Sequence, residues 1–169
     1  MVREYRRINE KPFKIGYTVY ISDPCYDPEK KLGVCIETPS DTKEYNAILC
    51  RAKDECGSWN HALILALDGT DALDSENRQI YADTFGVDTA SAVIYLDNND
   101  KPKYTDEEWQ ELCAKELIPE NRWVHPNNPD NPFKARVVGC TSGFGDGDYD
   151  IFKIYNKDGE YIGIKILFD

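Results

Sequence analysis

The C-terminal segment limits the fold more than any other part of the chain. Ile151-Phe-Lys-Ile-Tyr155 and Tyr161-Ile-Gly-Ile-Lys-Ile-Leu-Phe168 are β-branched and aromatic runs on either side of Asp158-Gly159. Such residues fit a pleated, half-buried surface. Asp-Gly between two such runs predicts a hairpin, because both central residues of a type I′ turn need positive φ. Residue 157 then faces 160, and partner numbers sum to 317. That register stacks Tyr149 on Phe168, Ile151 on Ile166 and Tyr155 on Ile162, with Ile164 on the same side and Asp150, Asn156 and Lys165 on the other. A one-residue slip would turn the isoleucines to water, so the register is specified. The last residues are therefore expected in the core.

Upstream, similar runs recur at short spacing. Residues 15–22, 33–38, 45–51, 61–67, 90–96 and 135–141 each read as a strand, with 61–67 ambiguous with helix on its Ala and Leu content. Asp23-Pro24 and Asp27-Pro28 enclose Cys25-Tyr26 in a tight turn. Residues 68–88 are polar and read as a loop with at most one helical turn. The period changes to helical at Tyr104, with Trp109, Leu112, Cys113 and Leu117 on one face. Thr105 and Glu108 form a capping box and Pro119 stops the helix. Residues 119–134 are rich in Pro and Asn and read as a long surface loop. Together these predict a β-dominated α+β fold, a mostly antiparallel sandwich or open barrel of about eight strands. One main helix, about 104–118, packs on it through Trp109, Leu112 and Leu117. Residues 1–14 read as a basic, loose or surface-lying lead-in, and 15–169 as a single β-rich domain.

Charge narrows the partners. Twenty Lys and Arg oppose 31 Asp and Glu, a formal charge of −11. Such a surface repels phosphate backbones and anionic membranes, so neither nucleic acid nor membrane is expected. An unknown protein, above all a basic one, or a small ligand is the expected partner, with a monomer or small homo-oligomer as the assembly. The six cysteines (25, 35, 50, 56, 113 and 140) include no C-x-x-C pair, and the N-terminus carries no apolar leader run. Free thiols and a cytoplasmic location are expected, with Cys35, Cys50 and Cys140 acting as small hydrophobes inside strands.

Gly143-Phe-Gly-Asp-Gly-Asp-Tyr149 is the most unusual stretch. Its alternating glycines either make a tight bend into the hairpin or bring amides close to a ligand. It is neither a dinucleotide fingerprint nor a phosphate-binding P-loop, since a strand follows and no Gly-Lys-Ser/Thr is present. Asp146, Asp148 and Asp150 fall on one side of an extended chain, the alternative reading being a cation site. The EF-hand pattern fails, with Ile151 at its sixth position and Lys157 at its twelfth. No cofactor is expected. Cys25 with His61 or His125, and Asp88 or Asp23 as orienter, is the inventory for a nucleophile and base.

Ser22-Asp-Pro-Cys-Tyr26, Gly86-Val-Asp-Thr-Ala-Ser-Ala-Val-Ile94 and Gly143-Phe-Gly-Asp-Gly-Asp-Tyr149 are spread over most of the chain. In these pieces the sequence resembles an uncharacterised family of small bacterial proteins. That family's pattern has Asp-Pro-x-Tyr, a Val-Asp-Ser-Gly-Gln-like segment and Gly-Asp-Gly-x-Tyr before a closing hairpin. This chain has Thr89, Ala90 and Ser91 where the pattern has Ser, Gly and Gln. The resemblance implies a β-rich single domain and no activity. The expected function is a soluble, non-catalytic binding module, in one form an acidic inhibitor or immunity-type protein covering a basic target. Its expected ligand or partner site is Asp23, Tyr26, Asp88, Gly145, Asp146, Gly147 and Tyr149, meeting at one end of the sheet. The alternative is a small hydrolase or transferase using Cys25 or the carboxylates of Asp23, Asp88 and Asp146.

Overall fold

The computed structural model describes residues 1–30, 32–39, 42–115, 118, 122–128 and 131–169. In chain order the elements are β1 (Val2–Arg7), β2 (Phe13–Lys14), β3 (Thr18–Ser22), β4 (Val34–Glu37), β5 (Glu44–Asp54), β6 (Gly57–Leu67), β7 (Arg78–Val87) and β8 (Ser91–Tyr95). The helix α1 (Asp106–Cys113) follows, then β9 (Trp123–Val124), β10 (Val137–Thr141), β11 (Gly147–Tyr155) and β12 (Tyr161–Leu167). One sheet runs β1-β5-β6-β12-β11-β7, with β2 also on β5, and the other runs β4-β3-β8-β10-β9. The described strand pairs are antiparallel, and the two sheets pack face to face.

The main core lies between them. Leu49, Leu63, Leu65, Phe85, Ile151, Ile164, Ile166 and Phe168 of the large sheet meet Val19, Ile21, Ala92, Ile94 and Val138 of the small one. Two strands lack the expected in-out alternation because both of their faces are covered. The other side of β6 carries Ile64 and Ala66, which pack with Ile154 and Ile162 beneath Ala72 of the β6–β7 loop. That double cover explains the unbroken apolar run at 61–67 and decides it as strand. The other side of β8 carries Val93 and Tyr95, closed off by Ile118, Val124 and Phe133. Val124 and Phe133 of the Pro- and Asn-rich stretch thus cover a second apolar layer.

The closing hairpin has the expected register over Asp150–Ile154, with Ile151 opposite Ile166, and Tyr149 rests edge-on against Phe168 at 5.3 Å. Its turn differs. Only Gly159 has positive φ (82°); the Gly159 N–H bonds to Asn156 O, and Asn156 pairs with Glu160. This is a three-residue loop with a glycine bulge rather than a two-residue type I′ turn. The extra residue shifts the pairing by one, so Tyr155 meets Tyr161 and not Ile162. The Asn156 side chain fixes the loop by accepting the N–H groups of Asp158 and Glu160.

Other expectations need correction. Residues 78–87, read as loop, form the edge strand β7; its outward side is exposed, so its sequence looks polar although Phe85 and Val87 are buried. The basic lead-in is a strand: β1 pairs along β5 and stays exposed throughout, with the Arg6 guanidinium 4.7 Å over the Trp123 ring. The capping box at Thr105 and Glu108 is present, but α1 ends at Cys113. Leu112 is buried, while half-buried Trp109 lines a crevice with Asp27 and Lys30 of the Asp-Pro turn. Leu117 and Pro119 lie outside the described residues. All six thiols are free, and Cys35, although in a strand, is exposed.

Candidate functional site

The turns after β3, before β8, after β10 and before β6 converge at one end of the sandwich. The keystone is Asp23, wholly buried directly after β3. Its Oδ1 accepts the Cys25 N–H (2.7 Å) and the Thr89 hydroxyl (2.8 Å); its Oδ2 accepts the Asp88 and Thr89 N–H groups, both at 2.8 Å. One carboxylate therefore shapes its own Asp-Pro turn and also the β7–β8 turn, 65 residues away in sequence. A short loop with no long side chains to anchor it is held in this way by a buried acceptor.

The other expected residues continue the same brace. The Tyr26 hydroxyl donates to Asp88 Oδ2 at 2.7 Å, and this bond to a carboxylate, followed by burial, pushes the phenol up to about 12. Asp146 Oδ1 accepts the Ala90 N–H at 3.1 Å, and the Ser142 N–H donates to Ala90 O at 2.9 Å. Ser142 and Tyr149 both donate their hydroxyls to Gly145 O, at 2.6 and 2.8 Å. Gly145 has φ 85°, a conformation other residues adopt at a cost. A Cβ on Gly143 would lie 2.2 Å from Asn60 O, so that glycine lets the loop press on β6. Gly147 begins β11 opposite Val87. Asp23, Tyr26, Asp88, Gly145, Asp146 and Tyr149 thus do come together, through the 88–90 turn.

What they enclose is a cleft of about 350 Å³. Of the residues expected to bind a ligand only Gly145 lines it, joined by Cys25 of the alternative catalytic reading; the carboxylates and tyrosines brace its wall from behind. The lining comes instead from Thr89, Ala90 and Ser91 on one side and Trp59, Asn60, Thr141 and Ser142 on another. Cys25, Cys113 and Lys115 close it. Ala90 has φ 51°, the only non-glycine residue with positive φ among those described. An Ala held in that region is strained by about 1–2 kcal/mol, and such strain gathers at functional loops. Nothing in the text of the helix marked Cys113, whose thiol approaches Cys25 O at 3.7 Å.

The chemistry of the cleft is quiet. Among the described residues Lys115 is its only charged lining residue. Burial, then the neighbouring Cys113 thiol and the Asp23 charge, push the Cys25 thiol up to about 12, far from a thiolate nucleophile. His61 lines a different cavity, so Cys25, His61 and Asp88 do not assemble. Asp23 has its acceptors filled by the protein itself, and Asp88 and Asp146 are each engaged as described. Among the described residues no group of three or more His, Cys, Asp or Glu is placed to hold a metal; Asp150 accepts from the Thr84 hydroxyl at 2.6 Å. Among those residues, too, no helix is long and apolar enough to cross a membrane.

No family model, curated protein or solved structure matches the chain.

Proposed function

We propose that the chain is a soluble, non-catalytic binding protein that holds a small polar ligand in the cleft at this end of the sandwich. The observation that carries the reading is the cleft wall itself. A 350 Å³ space lies within the roughly 300–1,000 Å³ of small-molecule sites, and its wall is preorganised by a buried carboxylate with four protein donors. Preorganisation lowers the ordering cost of binding. The Ser91 hydroxyl, the acceptor sides of the Thr89 and Ser142 hydroxyls, the Asn60 amide oxygen, the Trp59 ring and the Lys115 cation suit a hydroxyl-bearing ligand that is neutral or singly anionic. The raised Cys25 thiol, and a lining without His, Asp or Glu among the described residues, favour binding over turnover.

Ser58 is exposed and stands at the cleft mouth, so Ser58→Trp narrows the entrance without touching the core. Native mass spectrometry, followed by thermal shift with a panel of small polyols, sugars and hydroxy acids, tests the reading. The expected result is a retained mass or a stabilising compound with the wild type that Ser58→Trp loses. Equal responses from the two proteins overturn it.

A further inference from the structure

A second cavity, of about 140 Å³, lies on the outer face of the large sheet, between β1 and the β6–β7 loop. In a chain of formal charge −11 it collects basic side chains: Arg3 of β1, Lys165 of β12 and, between them in the sheet, His61 of β6. Among the described residues no carboxylate comes within 4.0 Å of the Arg3 or Lys165 side-chain nitrogens. Lys165 donates instead to the neutral Gln79 amide oxygen at 3.0 Å. Burial and then the Arg3 charge hold its ammonium below the ordinary lysine range. His61 is only 3% exposed, yet its Nδ1 has no hydrogen-bond partner; the closest acid, Asp169, is 4.0 Å away and mostly in solvent. Burial, then Arg3, press the imidazole toward its neutral form. Two like charges and an unsatisfied buried nitrogen around one small space are an unfavourable set by themselves. An anion in that space would satisfy all three.

We propose that this cavity binds a phosphate-sized oxyanion, free or as a monoester, held by Arg3, Lys165 and His61. The space is below the roughly 300 Å³ where drug-sized sites begin, so it suits a single anionic group and not a nucleotide. Arg3 supplies a planar fork of donors and Lys165 a point charge. Ser75 and Asn77 also line the cavity from the loop, where the Asn77 amide donates to Asp71 O at 2.7 Å. Asp74 also lines the cavity, but its Oδ1 accepts the Glu76 N–H at 2.9 Å. The groups facing His61 are Arg3 and Tyr5 from β1, Cys50 from β5, Lys165 and Asp169 from the last strand and its end, and Asp74 from the loop. An anion offsets the two cations that, after burial, hold the imidazole toward its neutral form. His61 therefore takes up a proton with the anion, and its titration midpoint rises.

The chain has two histidines, so His125 serves as the internal control. Imidazole signals are followed by NMR while orthophosphate, or in a second arm phosphoserine, is added at constant ionic strength set with sodium chloride. The expected result is a saturable His61 shift with a raised midpoint in its pH titration, while His125 stays still. Arg3→Ala, on an exposed strand, is expected to keep its melt and lose at least tenfold in affinity. Lys165→Met repeats the test from another strand. A shift with orthophosphate alone points to a free ion, and a shift with both to an open mouth that admits monoesters; either supports the site. Equal movement of both histidines, or an unchanged affinity in both variants, overturns it.

Discussion

Asp23→Asn is the most direct test of how this end of the sandwich is held. The substitution keeps the shape and one acceptor oxygen. Placed with its oxygen at the Oδ1 position, the amide still receives the Cys25 N–H and the Thr89 hydroxyl. Its NH2 then points at the N–H groups of Asp88 and Thr89, donor against donor, where two bonds of 2.8 Å stood before. Flipping the amide only moves the conflict to Cys25. Bonds to a charged group contribute about 1.5–3 kcal/mol each. The flipped amide loses one such bond, to Cys25, because the Thr89 hydroxyl can turn to accept, so the expected loss is about 1.5–3 kcal/mol, against a total stability of about 5–15 kcal/mol for a domain.

Urea unfolding followed by circular dichroism gives that difference directly. The midpoint is expected to fall while the slope, which reports the surface exposed on unfolding, stays the same. Asp88→Asn is the control. It also removes a carboxylate at this end, but one that is exposed and bonded to Tyr26, so its expected loss is no more than about 1 kcal/mol. If Asp23→Asn costs less than about 1 kcal/mol, the buried carboxylate is not what fixes the two turns. The preorganised cleft would then lose its physical basis.

Three further outcomes follow from the same contacts. Ile166→Ala empties a wholly buried position between the sheets and is expected to lose about 2–5 kcal/mol by urea unfolding. Ala90→Gly removes a strain of about 1–2 kcal/mol and adds an unfolded-state entropy of about 0.5–1 kcal/mol, so it should be neutral or stabilising by up to about 1.5 kcal/mol, and a clear loss in the melt would deny the strain. Tyr26 is raised in the folded state to about 12 from 10.0, so its contribution is complete below about pH 10 and disappears as pH climbs toward 12. Tyr26→Phe should show a shallower fall of the urea midpoint across that window than the wild type.

Much of the fold could be read from the chain where one physical cause dominated. Alternation carried β12, whose Ile164, Ile166 and Phe168 all reach the core, and the Thr105–Glu108 pair marked the start of α1. The misses have a common origin in edges. β7 has one neighbour, β11, and β1 has one, β5, so their free sides face water and their residues are chosen for solubility. Charged, polar edge strands of this kind are how proteins avoid sheet-to-sheet aggregation, and they read as loop. The hairpin turn was misread for another reason. Asn156 offers a side-chain acceptor that Asp-Gly alone does not reveal, and it favours the longer loop.

The candidate site illustrates a different limit. Sequence reading is drawn to residues with strong chemistry, and here Asp23, Tyr26, Asp88 and Asp146 were found and do gather. Their strength is spent on the protein's own backbone and hydroxyls: four donors on Asp23, the Tyr26 hydroxyl on Asp88 and the Ala90 amide on Asp146. The surface they present to the cleft is made of Thr89, Ala90, Ser91 and Ser142, small residues with no charge to mark them as a site. Ala90 ties the two levels together. It occupies a backbone region that favours glycine, and it is held there from both sides by Asp146 and Ser142. A turn whose shape is imposed by buried polar bonds, against the preference of its own residues, has no local signal to give. It becomes visible only when residues 23, 90, 142 and 146 are seen in one place.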